Sequence, residues 1–432
     1  MHCTAMDDQT VPRILMLVGG VVSLLGLGWS FRRLRRARLM ADLPTVTTAG
    51  AYVGVLEVAG QVQPLSLVTG PLSLRDGVWV DWSIEEEWEK TETTTDAKGN
   101  VRTRTTSGWT TVGGGRLQER FHLKDDQGLL PIEPDGAEVH GHETVDWTLT
   151  ESDPRYYGLG PRTVISHSTG RRRFQETMVL TATQVWILGH ARITRAGDGV
   201  EVAADRDVPD YLISVRGEVA ERSSATWAWV GGLLLALAGA GGVGYVVQLW
   251  PGAAVGAVAA LGVWALGWIL VAYNSLVALR QRVLQAHANI QVQLQRRADL
   301  IPNLVNALQA MQGHERRVQT AVATLRAQAA ATLPGRPGAD PVALVAIVQS
   351  FPELTAAPGT GHLLEALADT ENRIALARGF ANEVGSALNT RLESIPDGWF
   401  ARLAGCTPVP LFQADGFSRA APRVSMAPTR RP

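Results

Sequence analysis

The chain reads as a multidomain membrane protein with three transmembrane helices, a β-rich (α+β) domain and an all-α helical bundle. Three observations predict this. Between Arg222 and Arg280 there is no Asp, Glu, Lys or Arg, and most of 225–277 is Leu, Val, Ala, Gly and Trp. From Ala51 to Val219, short runs rich in Val, Thr, Trp and Leu alternate with Gly, Pro and Asp turns, the pattern of strands. After Tyr273, apolar residues return at three- and four-residue steps, the period of one helix face.

Residues 1–13 read as an N-terminal tail, and Ile14 to Phe31 as the first span, an apolar run closed by Arg32, Arg33, Arg35, Arg36 and Arg38. A secretory signal places its positive charge before the apolar core and ends at a small-residue site. Here Arg13 alone precedes the core, the larger basic cluster follows it and no such site is evident, so the segment is expected to stay attached. The positive-inside rule puts the Arg cluster in the cytoplasm and the N-terminus outside. Cys3 has no apolar run before it, so a lipidation site is a poor reading.

In 51–219, Tyr52 to Val58, Gly77 to Trp82 and Met178 to Leu188 are expected strands. Ile84–Thr94 and Val101–Thr111 flank the turn sequence Asp96-Ala97-Lys98-Gly99-Asn100 and predict a long solvated hairpin. Val53-Gly54-Val55-Leu56-Glu57, Gly60-Gln61-Val62, Val78-Trp79-Val80, Phe121 to Gly128, Pro134-Asp135-Gly136-Ala137, Gln175-Glu176-Thr177 and Val185 to Gly189 follow the order of the GIDE domain. The stretch resembles this β-rich, membrane-adjacent module of membrane-anchored RING E3 ubiquitin ligases. Those ligases carry a zinc-binding RING after the second span, and two cysteines, Cys3 and Cys406, cannot supply its ligands. A ligase-like transferase therefore stands only as an alternative.

The apolar stretch from 225 is too long for one crossing of a ~30 Å bilayer core at ~1.5 Å per residue. Trp250, Pro251 and Gly252 break it, giving spans at 225–249 and 253–273. Trp227, Trp229, Trp250 and Tyr273 fall at the interfaces, where amphipathic rings sit. Both soluble parts are then cytoplasmic, in a multi-pass protein of the bacterial inner membrane.

The bundle is expected over 273–412. Leu276, Leu279, Val283, His287, Ile290, Leu294, Ala298 and Ile301 continue a stripe out of the third span. Leu304 to Leu325 and Leu363 to Leu388 repeat the seam. Leu333 to Pro341 and Phe351 to Thr360 read as linkers around a short helix, Val342 to Gln349, and 413–432 as a disordered tail, with Leu411-Phe412 packed on the bundle. Pro302 is expected to mark a turn or kink, with Asp299 and Asn303 placed to satisfy freed amides.

Tyr273-Asn274-Ser275-Leu276-Val277, Arg280, Arg282, Ile290, Val292-Gln293-Leu294, Arg296 to Val305, His314-Glu315 and Thr370 to Arg378 resemble the LemA family in wording and spacing. The resemblance implies an antiparallel bundle anchored to the bacterial inner membrane, with no established enzymatic activity. Its signature positions here are Asn274, Arg280, Gln293, Arg297, Asp299, Pro302, Asn303, Glu371, Asn372 and Arg373, and they are the candidate interaction residues. Arg296, Arg297, Glu371 and Arg373 could form ion pairs across the bundle or a polar docking face, and a solvated face is the favoured expectation. The aromatic and Asn positions of the family's later block stand here as Phe380, Asn382 and Asn389.

A net charge of -1 argues against nucleic acid, whose phosphates need a basic face. Lys occurs only at Lys90, Lys98 and Lys124 and Ala and Gly are abundant, a bias of GC-rich bacterial genomes. No Ser nucleophile elbow or phosphate loop occurs, and Val112-Gly113-Gly114-Gly115 lacks the Lys and Ser/Thr of the latter. His140 and His142, beside Glu138 and Glu143, would share one face of a strand and could serve a metal-dependent hydrolase, although Gly141 favours a loop. The expected function is a non-enzymatic scaffold or sensor, without cofactor or metal, in envelope stress or membrane maintenance. Its partners are the lipid bilayer, other proteins and a second copy of the chain.

Overall fold

The computed structural model describes residues 10–95, 101–194, 199–206, 210–310, 360–403 and 405–412, in two compact units, Met1–Val271 and Ala272–Pro432. The first unit opens with α1 (Thr10–Asp42), which extends the expected span through the Arg cluster to about 50 Å. Its strands follow as β1 (Thr45–Val46), β2 (Gly54–Pro64), β3 (Val68–Thr69), β4 (Asp76–Thr95), β5 (Val101–Gln118), β6 (Phe121–Lys124), β7 (Leu129–Ile132), β8 (Glu138–His140) and β9 (His142–Thr150). After α2 (Pro154–Leu159) come β10 (Ser168–Leu180), β11 (Gln184–Ile193), β12 (Val200–Ala203) and β13 (Leu212–Ser214).

One sheet runs β1-β2-β6-β7-β12-β11-β13-β8, and because β2 also pairs with β11, five of its strands close on themselves as a small barrel. Leu56, Val58, Leu123, Ile132, Ile187 and Val202, all buried, fill strands of this ring. The second sheet is β3-β4-β10-β9 with β5 on β4. Here β4 and β5 form a hairpin running from Trp79↔Gln118 to Thr95↔Val101. The glycines the sequence gathers at 108 and 113–115 have a packing role, since Gly108 lies opposite Trp88, Gly113 opposite Ile84 and Gly115 opposite Trp82. A bare backbone leaves each large side chain its place across the ladder.

Two helices among the described residues are long and apolar enough to cross a membrane, Val11–Asp42 and Glu218–Leu300, where three separate ones were expected. The second and third expected spans lie within one helical element, α3 (Glu218–Ala310), broken by non-helical φ/ψ at Gln248 and Leu249. Its two arms fold back on each other. Gly256 abuts the Ala240 carbonyl, and the rings of Trp229 and Trp264 stack with centroids 5.7 Å apart. Only 17% and 6% of the most apolar windows of the two helices are buried, unlike the core helices of a soluble domain. Trp227 and Trp250 are exposed, but Trp229 is taken up by the stack.

Helix α1 packs into the first arm through four glycines. A β-carbon at Gly26 would lie 2.8 Å from the Gly232 carbonyl oxygen, and one at Gly239 2.6 Å from that of Gly19. Both pairs are seven residues apart, one face of a helix, and their lack of a side chain lets the backbones touch. Ser30 completes the contact. Its hydroxyl, fully buried, donates to the Trp229 carbonyl at 2.9 Å and accepts from the Trp264 indole at 3.1 Å.

In the second unit, α3 continues beside α4 (Thr360–Glu393) and α5 (Asp397–Leu403). Leu276, Leu279, Val283, Ala286 and Ile290 of α3 and Leu367, Thr370, Ile374, Ala377, Ala381, Val384 and Leu388 of α4 are buried stripes, whereas Leu294, expected on the first stripe, is exposed. The helices are antiparallel: Arg297 meets Glu371, while His287, earlier on α3, lies over Phe412, which is bonded to Asn382 later on α4. Pro302 does not turn the chain, because helical φ/ψ continue past it to Ala310. A proline there removes one backbone bond, and the flanking turns carry the helix through. The expected seam through Leu325, His314-Glu315, the linkers with their short helix, and the tail lie outside the described residues.

Candidate functional sites: a polar junction and a strapped bundle

Where α1 and α3 meet the barrel, an apolar contact surrounds a chain of polar groups. Met40 and Leu43 of α1 and Ala225 of α3 pack on Trp186, Leu188 and Leu212. Along one edge, Arg36 Nη1 donates to Glu138 Oε2 at 2.7 Å. Glu138 Oε1 is 3.1 Å from His140 Nε2, and His140 Nδ1 is 2.7 Å from Glu221 Oε1. The same Glu221 oxygen accepts from the Ser214 hydroxyl at 2.7 Å. Both ring nitrogens of His140 thus face carboxylates, one on β8 and one in the first turn of α3, where a negative charge also suits the helix dipole. Burial would raise the Glu138 carboxyl, but Arg36 and His140 outweigh it and hold it below the usual range.

On the same face, Glu57 of β2 is fully buried and accepts from the Thr45 hydroxyl at 2.8 Å. Burial pushes its carboxyl up to about 7, against smaller opposing effects of Trp186 and Thr45. A cleft of about 490 Å³ opens beside the chain, walled by Asp81, Trp82, His140, Glu143 and Arg216 among others.

The shared face proposed for His140 and His142 does not form. Gly141 separates them, so His140 lies on β8 of the barrel sheet and His142 on β9 of the other. A side chain at 141 would meet the Met178 carbonyl oxygen at 2.5 Å. Among the described residues there is no cluster of three or more His, Cys, Asp or Glu able to hold a metal.

In the second unit, the candidate residues divide. Arg297 Nε lies 2.7 Å from Glu371 Oε1, with side chains 4% and 10% exposed, so this pair is inside the bundle and not on a solvated face. Their positions on the facing stripes of α3 and α4 are what bury them. Burial raises the Glu371 carboxyl, opposed by Arg297 and Arg378. Gln293 is half-buried, and its Oε1 makes no hydrogen bond among the described residues. Arg373 pairs with Asp369 one turn back at 2.8 Å. Asp299 accepts from Gln295 at 3.0 Å. Asn274, Arg280, Arg296 and Asn372 are exposed. The backbone at Pro302 and Asn303 is helical.

The residues the sequence left least defined carry the most regular contact. Asn389 donates through Nδ2 to the Val409 carbonyl at 2.9 Å and accepts through Oδ1 from the Val409 N–H at 2.8 Å. Asn382 does the same with Phe412, at 2.8 and 2.7 Å. The segment 405–412 is thereby strapped along α4.

Residues 286–426 match the LemA family model. The match takes in Arg297, Glu371, both clamping asparagines and the strap, while Asn274 and Arg280 precede it. It supports a LemA part at the C-terminus, and with it a membrane-associated helical protein. No curated protein and no solved structure matches the chain. Arg36, Glu138 and Glu221 went unread as partners because 102 residues separate Arg36 from Glu138 and 81 separate His140 from Glu221, and no local pattern links them. The seven-residue spacing of Asn382 and Asn389 was the available signal for the clamp.

Proposed function

We propose that the chain is a non-enzymatic scaffold or sensor of the bacterial inner membrane. In this reading α1 and both arms of α3 each cross the bilayer, the N-terminus lies outside, and the GIDE-like β domain and the LemA-like bundle both face the cytoplasm. There they hold other proteins or a second copy of the chain, without cofactor, metal or nucleic acid. The observation that carries the reading is the junction from Arg36 through Glu138 and His140 to Glu221. Two helices leaving the apolar region are tied to the sheet by paired charges, so a displacement of either helix would alter the cleft beside His140. Ring nitrogens paired to structural carboxylates fit a coupling role better than a catalytic one.

Crosslinking in native membranes followed by mass spectrometry tests it: partners should be recovered at the β domain or the bundle. Recovery of lipid crosslinks alone, or turnover of a substrate by the purified chain, would overturn the reading. A reporter at the C-terminus should be active only in its cytoplasmic form, and activity only outside would overturn the topology.

A further inference from the structure

The strap is held by its backbone. Asn382 and Asn389 are seven residues apart on α4, about 10.5 Å along a helix, and the residues they clamp, Val409 and Phe412, are three apart, about 9–10 Å in an extended chain. The two repeats match. Each side-chain amide spends both its donor and its acceptor on the N–H and C=O of one residue, a contact that any non-proline residue in that conformation can make. Side-chain selection comes from elsewhere. Gly385, between the two asparagines, leaves room for Leu411, whose Cδ2 would sit 3.1 Å from a β-carbon there, and the His287 ring lies 5.5 Å from that of Phe412. Pro408 and Pro410 hold the flanking backbone extended. Yet the occupant is poorly buried, with Leu411 45% and Phe412 39% exposed. A groove whose own segment is fixed mainly by two amide bonds that are exposed, at Phe412, and two that are part-buried, at Val409, can exchange it.

We propose that the Asn382, Gly385 and Asn389 face of α4, with His287 of α3, is a groove for an extended peptide of a partner protein, and that residues 407–412 are its resident stand-in. The peptide carries apolar, proline and aromatic residues in the order Val-Pro-Leu-Phe and presents backbone N–H groups at its first and fourth positions. This rests on the scaffold reading and names the partner class.

The test uses the full-length chain in detergent and a fluorescent peptide of sequence Thr-Pro-Val-Pro-Leu-Phe, that of residues 407–412. Val409→Pro with Phe412→Pro removes the two N–H groups that the asparagines accept and frees the groove. The peptide should bind that variant at least 10-fold more tightly than the native chain. Adding Asn382→Asp and Asn389→Asp, which keep the shape but lose the Nδ2 donors, should cost at least 10-fold. Equal binding to native and strap-weakened chains, no binding to a strap-weakened chain of unchanged helix content, or binding indifferent to the Asp changes would each overturn the proposal. Native-membrane crosslinks at other surfaces would survive that outcome, so the scaffold reading falls only with its own experiment.

Discussion

Arg172 and Glu86 are both fully buried, and the guanidinium bonds one carboxylate oxygen twice, from Nε at 3.0 Å and from Nη2 at 2.8 Å. The remaining donors go to the carbonyls of Tyr156, Pro161 and Thr163, and the plane stacks 4.1 Å over the Tyr156 ring. Glu86 in turn accepts from Ser168 at 2.5 Å. Burial would raise its carboxyl, yet Ser168 and Arg172 prevail and hold it low. The pair pins the 154–167 stretch to the second sheet. Removing one partner leaves the other charged and dry, so Arg172→Ala should cost about 3–5 kcal/mol. Thermal melts should show the loss; a shift no larger than that of exposed Arg75→Ala would contradict it.

The glycine contact between α1 and α3 gives a control within one helix. Gly26→Leu should destabilise by about 1–3 kcal/mol through overpacking. Gly28→Leu, where a β-carbon would meet nothing within 4 Å, should be close to neutral. Melting temperatures of the two variants in one detergent decide the matter, and equal shifts would dismiss the packing.

Glu57 makes stability depend on pH. Its carboxyl titrates near 4.5 when exposed and near 7 in the fold. Between those values the unfolded chain has released a proton that the folded chain keeps, so stability falls as pH rises and levels off above about 7. Glu57→Gln should remove this slope and gain up to about 3 kcal/mol at neutral pH. Denaturation at pH 4.5, 6 and 7.5 reads it, and parallel curves for both proteins would refute the buried acid.

Arg297 and Arg296 are neighbours in sequence with opposite fates. Arg297→Ala strands Glu371 inside the bundle and should cost about 3–5 kcal/mol, whereas Arg296→Ala, at an exposed position, should stay within about 0.5 kcal/mol. Hydrogen exchange across α4 distinguishes them, and matched protection in both variants would return Arg297 to the surface.

Much of this protein was legible in the sequence, because it depends on neighbours along the chain. Stripes at the helical period marked most of the buried faces of α3 and α4, Leu294 excepted, charge-free stretches marked the apolar helices, and Trp250-Pro251-Gly252 stood next to the break. The closure of five strands into a barrel and the separation of His140 from His142 into two sheets were not legible, and although an ion pair across the bundle was one reading of Arg297 and Glu371, its burial was not. Each joins residues far apart in sequence, and a composition or spacing rule has no access to them. Sequence alone marked most of the helical, stranded and apolar segments, since local sterics and solvation fix those, although 178–188, expected as a strand, holds the end of β10, a turn with Ala182 at φ 58 and the start of β11. Tertiary structure decided which charges meet and which asparagines clamp the strap, because only packing sets which distant groups leave water together.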